Sequence, residues 1–384
     1  GYILMFIPNE GSYLLAMERD RKLATDAFRR HVIIVNPTTL LLCLQIVALL
    51  RSREAQNENA EKISAAAATQ MLISRFDVDM ILNFGAVDYS CVVYLDGKPV
   101  GEHSGGFASF TVDVTPYVAA GKSHDLVVKV CNDPVDGEQP RGKQCDKFKS
   151  YGCLYTRVTG IWQTVWLEAV AMTALQSCRI VPDFDNSTFS FTPRLYAAPD
   201  GELRIAVKDA QGRLAAAKSV RAASGVTVTL PIANAVAWCP ENPHLYDIEF
   251  EVTNAKGEII DAVRSYAGLR KFHCADGKFW LNNRPCYLRF ALDQGYYPDA
   301  LWTAPSDAAL KRDVELGLAA GFNGARLHQK VFEPRFLFHA DRLGYLVWGV
   351  ITASFGFITK ANIATLFNIS DTAKITASES AFIM

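Results

Sequence analysis

Gly321-Phe322-Asn323-Gly324-Ala325-Arg326-Leu327-His328 is the stretch on which the fold turns. Phe322 to His328 is a short run bracketed by two helical patterns, which predicts a strand. Upstream, Ser306 is a good N-cap for a helix that carries Leu310, Val314 and Leu318 on one face and stops at Gly321. Downstream, a second helix opens at Pro334 and closes at Gly344. Cys286 to Phe290 and Tyr345 to Trp348 read as the flanking strands. Strand, helix, strand, helix, strand is the start of a parallel α/β unit. On the middle strand Arg326 and His328 are two apart and point to one face, while Leu327 points toward the covering helix.

Before this unit the period is two. Tyr246, Ile248, Phe250 and Val252 alternate with Asp247, Glu249 and Glu251, and Leu203, Ile205 and Val207 alternate with Arg204 and Lys208. Each predicts a strand with one wet face, as in an antiparallel sandwich. Asn282-Asn283 reads as a hairpin turn. Further upstream, Val92-Val93-Tyr94-Leu95 runs into Asp96-Gly97, a two-residue hairpin signal, because both turn positions need positive φ. Phe107 to Val114 and Asp125 to Val130 are further strands, so this region is a second sandwich or a jelly roll. Residues 1–74 are rich in Ala and Leu and predict a helical segment. Residues 350–384 lose every pattern and stay unassigned.

The chain has 384 residues, 50% of them apolar and 21% charged. At about 150 residues per domain this fits two to three domains with separate cores. The net charge of −1 excludes the basic excess that nucleic-acid binding requires. Nine cysteines with no Cys-x-x-Cys pair predict reduced thiols, a cytoplasmic compartment and no metal site. Residues 32–50 carry no charge and are the one membrane-anchor candidate, but Asn36, Pro37 and Gln45 dilute the run and basic residues flank both ends.

Further segments stand in a telling order. They are Leu82-Asn83-Phe84-Gly85-Ala86-Val87-Asp88-Tyr89, then Gly101-Glu102-His103-Ser104-Gly105-Gly106-Phe107, then Gly160-Ile161-Trp162-Gln163-Thr164-Val165-Trp166-Leu167-Glu168, then Trp238-Cys239-Pro240-Glu241-Asn242-Pro243-His244-Leu245-Tyr246. With Asn323 to His328 they resemble glycoside hydrolase family 2, the family of β-galactosidases and β-glucuronidases, from Arg75 to Gly349. The resemblance implies a multidomain, mainly β chain. A jelly-roll β-sandwich spans 75–170, an immunoglobulin-like β-sandwich 171–270, and the first part of a (β/α)8 TIM barrel 271–349. It implies hydrolysis of O-glycosidic bonds of β-linked sugars with retention, carbohydrate as the partner, and no cofactor.

The resemblance also implies that Arg326 supports a catalytic nucleophile and that His328 contacts the sugar, at the C-terminal strand ends where barrel chemistry sits. Asp293 and Gln294, expected in the loop after the first barrel strand, are candidates for bonding sugar hydroxyls. Trp162 and Trp166 are expected to pack between domains. Gly105-Gly106 has no following Lys-Ser/Thr helix and is no phosphate loop. Three positions depart from the family's pattern: Leu154 stands where an Asp helps to bind sugar, Phe290 where Gly is usual, and Val350 where Glu is common. A full barrel takes about 250 residues, more than follow Lys271, and the family's two catalytic carboxylates lie on its fourth and seventh strands. No residue is therefore assigned as acid/base or nucleophile, and the chain by itself is expected to be inactive. The rival reading is a non-catalytic carbohydrate-binding β-sandwich protein.

Overall fold

The computed structural model describes residues 3–6, 19, 32–35, 78–119, 122–135, 139–197, 199–350 and 381–383. The chain divides into two units, Gly1–Leu72 and Ile73–Met384. In the first unit β1 (Ile3–Phe6) pairs in parallel with β2 (Val32–Val35), and Arg19 is helical. The helical expectation for residues 1–74 is corrected at these two strands. Ile3-Leu4-Met5-Phe6 and Val32-Ile33-Ile34-Val35 are four-residue apolar runs, too short for periodicity to separate strand from helix. The rest of the anchor candidate 32–50 lies outside the described residues. Among the described residues no helix is long and apolar enough to cross a membrane.

The second unit opens with β3 (Val78–Phe84), β4 (Val87–Asp88), β5 (Ser90–Leu95), β6 (Lys98–Ser104), β7 (Phe110–Asp113), β8 (Leu126–Cys131), β9 (Gly160–Ile161) and β10 (Val165–Ala171). Sheets ordered β10-β3-β7 and β6-β5-β8 enclose a core of Met80, Leu82, Phe84, Cys91, Val93, Leu95 and Val112. The β5–β6 turn takes positive φ at Asp96 and Gly97, 48° and 77°.

A second sandwich follows, made of β11 (Leu175–Asp183), β12 (Thr188–Leu195), β13 (Glu202–Lys208), β14 (Leu214–Arg221), β15 (Val228–Pro231), β16 (Tyr246–Thr253) and β17 (Ile259–Ala267). Its sheets run β11-β12-β15 and β14-β13-β16-β17. The alternation of β13 and β16 sends Leu203, Ile205, Tyr246, Ile248 and Phe250 against Phe189 and Phe191.

The third region starts with a hairpin of β18 (Phe272–Ala275), β19 (Lys278–Leu281) and β20 (Arg284–Pro285), turning at positive φ on Asn282 and Asn283. Then come β21 (Phe290–Asp293), α1 (Asp307–Ala319), β22 (Gly324–His328), α2 (Pro334–Leu343), β23 (Leu346–Val350) and β24 (Ala381–Ile383). β21, β22 and β23 are parallel neighbours, and the two helices are their crossovers. Ser306 caps α1 by accepting from Ala309 N at 3.2 Å, and Gly344 closes α2 in the left-handed region. Two expectations are corrected. The first strand begins at Phe290, because the Asn323 side chain takes the Arg289 N–H at 2.7 Å and donates to Tyr287 O at 2.8 Å, holding 287–289 off the ladder. The unpatterned tail contributes β24, an apolar triplet pairing antiparallel with β23 at its open edge.

Trp238 joins the second sandwich to α2. Its ring is fully buried, its Nε1 donates to Asp341 O at 2.7 Å, and the Arg270 guanidinium lies 4.4 Å over it while pairing with Asp341 at 2.7 Å. Replacing Trp238 by Ala is expected to cost about 3–5 kcal/mol, read as a fall in the denaturant midpoint. A midpoint equal to the parent's would show that the ring does not carry this junction.

Candidate functional site

Leu292, Arg326 and Trp348 are register partners across β21, β22 and β23, so they form one row on one face of the sheet. His328 continues that face one step further along β22. Leu327, between them, packs on the helix side with Leu310, Val314 and Phe336. His328 Nδ1 and Trp348 Nε1 are buried without a hydrogen-bond partner, and so are Gln294 Oε1 and Gln329 Oε1 just past the ends of β21 and β22. Buried polar atoms in this state are costly, and a polyhydroxylated ligand is one way to satisfy them. Burial, then the charges of Arg326 and Lys143, hold His328 below the usual imidazole range.

Asp293 is not brought to this face. It is the last residue of β21 rather than part of the following loop, and its register partner is Leu327, so it points to the helix side. There its carboxylate accepts from Gly295 N at 2.8 Å, and burial raises its proton affinity. The strand runs further along the chain than expected and takes in Asp293, which alternates with Leu292 and so lies on the other face from Arg326.

Lys330 is the residue that the sequence does not reveal. Its side chain is 1% exposed, in the loop between β22 and α2. Its ammonium donates to Gly295 O at 2.8 Å and Trp302 O at 2.7 Å, lies 3.7 Å from Glu333, and sits over the rings of Trp162, Tyr297 and Phe332 at 5.1, 5.9 and 4.9 Å. A buried charge persists only when paired and hydrogen-bonded, and cation–π contacts add to that. Burial still lowers its proton affinity, against the pull of Glu333 and Asp293. Gly295 (φ +62°) lies beneath it, where a Cβ would meet Lys330 Cδ at 2.8 Å and Phe332 Cζ at 2.7 Å.

The first sandwich adds a wall. Tyr155 stacks on Tyr296 at 4.1 Å, next to Gln294, and its N–H donates to Lys143 O at 2.8 Å. Beneath this loop Asp88 Oδ2 accepts from Asn132 Nδ2 at 2.8 Å and Gln144 Nε2 at 2.9 Å, while Gln144 Oε1 accepts the Val158 N–H at 2.7 Å. Asp88 explains Gly106, where a Cβ would overlap its Oδ1. Trp162 is buried against Trp302 and Phe107, whereas Trp166 is 41% exposed. Among the described residues no group of His, Cys, Asp and Glu is placed to hold a metal ion, and the eight described cysteines are unpaired.

Residues 174–270 match the family described as glycosyl hydrolases family 2, and residues 56–167 match its sugar binding domain. Over about 70% of its length the chain is related to glycoside hydrolase family 2. Residues 1–78 match a different family, RmuC. A Formosa agariphila protein carrying a β-glucuronidase name is 29% identical over 276 residues, 70% of this chain and 32% of that protein. The β-galactosidase of Thermoanaerobacter pseudethanolicus is 26% identical over 280 residues, 70% of this chain and 36% of its own. The DNA recombination protein RmuC of Escherichia coli is 43% identical over 67 residues, 17% of this chain and 14% of its own. The chain thus spans about a third of the length of these two glycosidase relatives. The β-glucuronidase from Ruminococcus gnavus in complex with D-glucuronic acid superposes with a TM-score of 0.64 at 21% identity, over 76% of this chain and 50% of that one. A family 2 member from Bacteroides cellulosilyticus gives 0.63 at 20% identity, over 75% and 40%. These two likenesses establish the fold.

Burial pushes the Asp88 carboxyl up to about 7, against the lowering effect of the Gln144 hydrogen bond. A folded-state value above the unfolded 3.8 favours the fold at low pH, so this contribution is lost as pH rises from about 4 through about 7. Asp88→Asn is expected to flatten that part of the stability–pH curve, since an amide oxygen still accepts from Asn132 and Gln144. Denaturant midpoints of parent and variant at pH 5 and pH 8 check this. Parallel curves would exclude Asp88 as the group concerned.

Proposed function

We propose that this chain supplies the sugar-recognition half of a retaining β-glycosidase site and, alone, binds a β-linked sugar without cleaving it. In this reading β21, β22 and β23 are the first strands of a (β/α)8 barrel, His328 and Gln294 contact the sugar, and Arg326 supports the nucleophile. Asp293 acts from the helix side by shaping the Gln294 loop, not by touching sugar. Tyr155 and Lys143 complete the wall. The names of the relatives point to a β-galactoside or β-glucuronide as substrate.

One observation carries the reading: His328 Nδ1, Trp348 Nε1 and Gln294 Oε1 are buried without hydrogen-bond partners at or just past the strand ends, in line with the cationic Arg326. Retaining hydrolysis needs two carboxylates about 5–5.5 Å apart, flanking the bond. On this reading the groups on this face recognise sugar, and the charges acting on His328 come from Arg326 and Lys143 rather than from a carboxylate. That supports binding without cleavage, and it also suits the rival reading of a carbohydrate-binding protein.

Aryl β-galactoside, β-glucuronide and β-mannoside are each expected to show no turnover with this chain, while one of the parent sugars binds. His328→Ala is expected to weaken that binding about tenfold, the loss of one hydrogen bond to a charged or polar partner. Turnover abolished by changing a carboxylate within the chain would refute the reading, as would binding indifferent to His328.

A further inference from the structure

The connection between β8 and β9 holds an amine against a thiol. Residues 143–155 form a loop closed at its base by two backbone hydrogen bonds: Tyr155 N–H donates to Lys143 O and Cys145 N–H donates to Tyr155 O, both at 2.8 Å. Within the loop the Tyr151 hydroxyl donates to Asp146 at 2.8 Å, and the Lys147 ammonium lies 4.6 Å over the Tyr151 ring. Gly152 takes the left-handed region, φ +55°, just before Cys153. Lys143 Nζ stands 3.4 Å from Cys153 Sγ, ten positions away in the chain. That separation is one from which a new bond can form without rearrangement of the backbone.

The setting of Cys153 differs from that of the enclosed thiols. Cys145, in the same loop, is fully buried; its sulfur accepts from Lys147 N at 3.3 Å and lies 3.2 Å from Lys149 O. Burial pushes the Cys91 and Cys286 thiols up, and Cys178 up to about 11, which keeps them unreactive. Cys153 is exposed, so an oxidant reaches its sulfur without opening the fold. The rival nucleophiles are occupied. The Cys145 sulfur is held inside the loop, and the Leu154 N–H, which could close a cyclic product, already donates to Tyr151 O at 3.0 Å.

We propose that Lys143 and Cys153 form a reversible covalent cross-link, driven by a peroxide as oxidant. The thiol sulfur attacks one oxygen of hydrogen peroxide, the O–O bond breaks, and one water leaves. The sulfur, now a sulfenic acid, has given two electrons to the peroxide. The lone pair of the neutral Lys143 amine then attacks that sulfur. An S–N bond forms, the S–O bond breaks, and the hydroxyl departs as a second water with a proton from the nitrogen. A second peroxide places one oxygen between sulfur and nitrogen and releases a third water. Two small-molecule thiols reverse the S–N bond, regenerating thiol and amine and leaving as a disulfide. The Lys143 charge is one of the two that act on His328. A nitrogen bound to sulfur is no ammonium, so oxidation withdraws a cation from beside the strand-end row. What this does to sugar binding rests on the function proposed above; the link itself does not.

Treating the whole chain with hydrogen peroxide in mildly alkaline buffer and cutting it with chymotrypsin tests this, since Phe148 and Tyr151 separate the two residues. Mass spectrometry is expected to find the Lys143 and Cys153 peptides joined, about 2 Da lighter than their sum, or about 14 Da heavier after the second oxidation. Dithiothreitol should release them. Cys153→Ser and Lys143→Arg should each abolish the joined species, the latter because a guanidinium is a poor nucleophile, and Cys145→Ser should leave it in place. In Lys143→Arg the unlinked Cys153 should run on to sulfinic acid. Cys153 is exposed, so its change to Ser leaves the core untouched. Cys153 joined to Cys145 instead of Lys143, Cys153 left unoxidised, or sulfinic acid formed equally in parent and Lys143→Arg overturns the proposal. None of these readings depends on whether the chain binds sugar, so the two proposals fail separately.

Discussion

The Lys330 ammonium is the constraint on which the neighbourhood of the strand-end row depends. Taking it out of water is compensated by two carbonyls from the loop after β21, by Glu333 with the further charges of Asp293 and Asp313, and by three aromatic faces. One of those faces belongs to Trp162 of the first sandwich, whose indole N–H is fixed on Gly106 O at 2.7 Å and whose own carbonyl accepts from Thr303 at 2.8 Å. A single charge therefore ties two strand-to-helix loops to a separate sandwich. The loop carrying Gln294 and Tyr296 is held by these contacts and by the stacking of Tyr296 on Tyr155. A point-like ammonium suits this place better than a guanidinium, since its donors diverge toward Gly295 and Trp302 rather than lying in one plane.

Parity decides what the sheet can present. Adjacent residues on a strand serve opposite faces, so β22 gives Arg326 and His328 to one side and Leu327 to the other. The alternations of β13 and β16 and the Asp96-Gly97 hairpin were legible because they are local: a period of two and a pair of positive-φ residues suffice. The caps of α1 and α2 were legible for the same reason. The start of β21 was not, because Asn323, 34 positions after Arg289, holds the preceding residues off the ladder. The strand instead extends through Asp293, and alternation with Leu292 puts that carboxylate on the helix side.

The hidden members of the site share a physical cause. Lys330, Asp88, Lys143 and Tyr155 act through contacts between regions far apart in the chain, such as Asp88 with Gln144, 56 positions away. A lysine in a loop between a strand and a helix reads as solvated until the tertiary structure buries it. Gly105-Gly106 carried a readable oddity, two glycines in a strand-rich stretch, but the reason for Gly106 is the Asp88 side chain packed where a Cβ would stand, and Gly105 takes a positive φ of 134°.

The distribution of charge over the two faces separates two kinds of work. The helix side of β21 and β22 collects Asp293, Asp313 and Glu333 around one ammonium, a set that stabilises geometry. The open face places Arg326 and Lys143 near a histidine whose free ring nitrogen has no partner. A carboxylate brought to that face would be held ionised by these cations, which suits a nucleophile and not a general acid. On the proposed reading this chain therefore fixes the charge state of the nucleophile in advance, while the proton-donating carboxyl must find its environment elsewhere, away from Arg326.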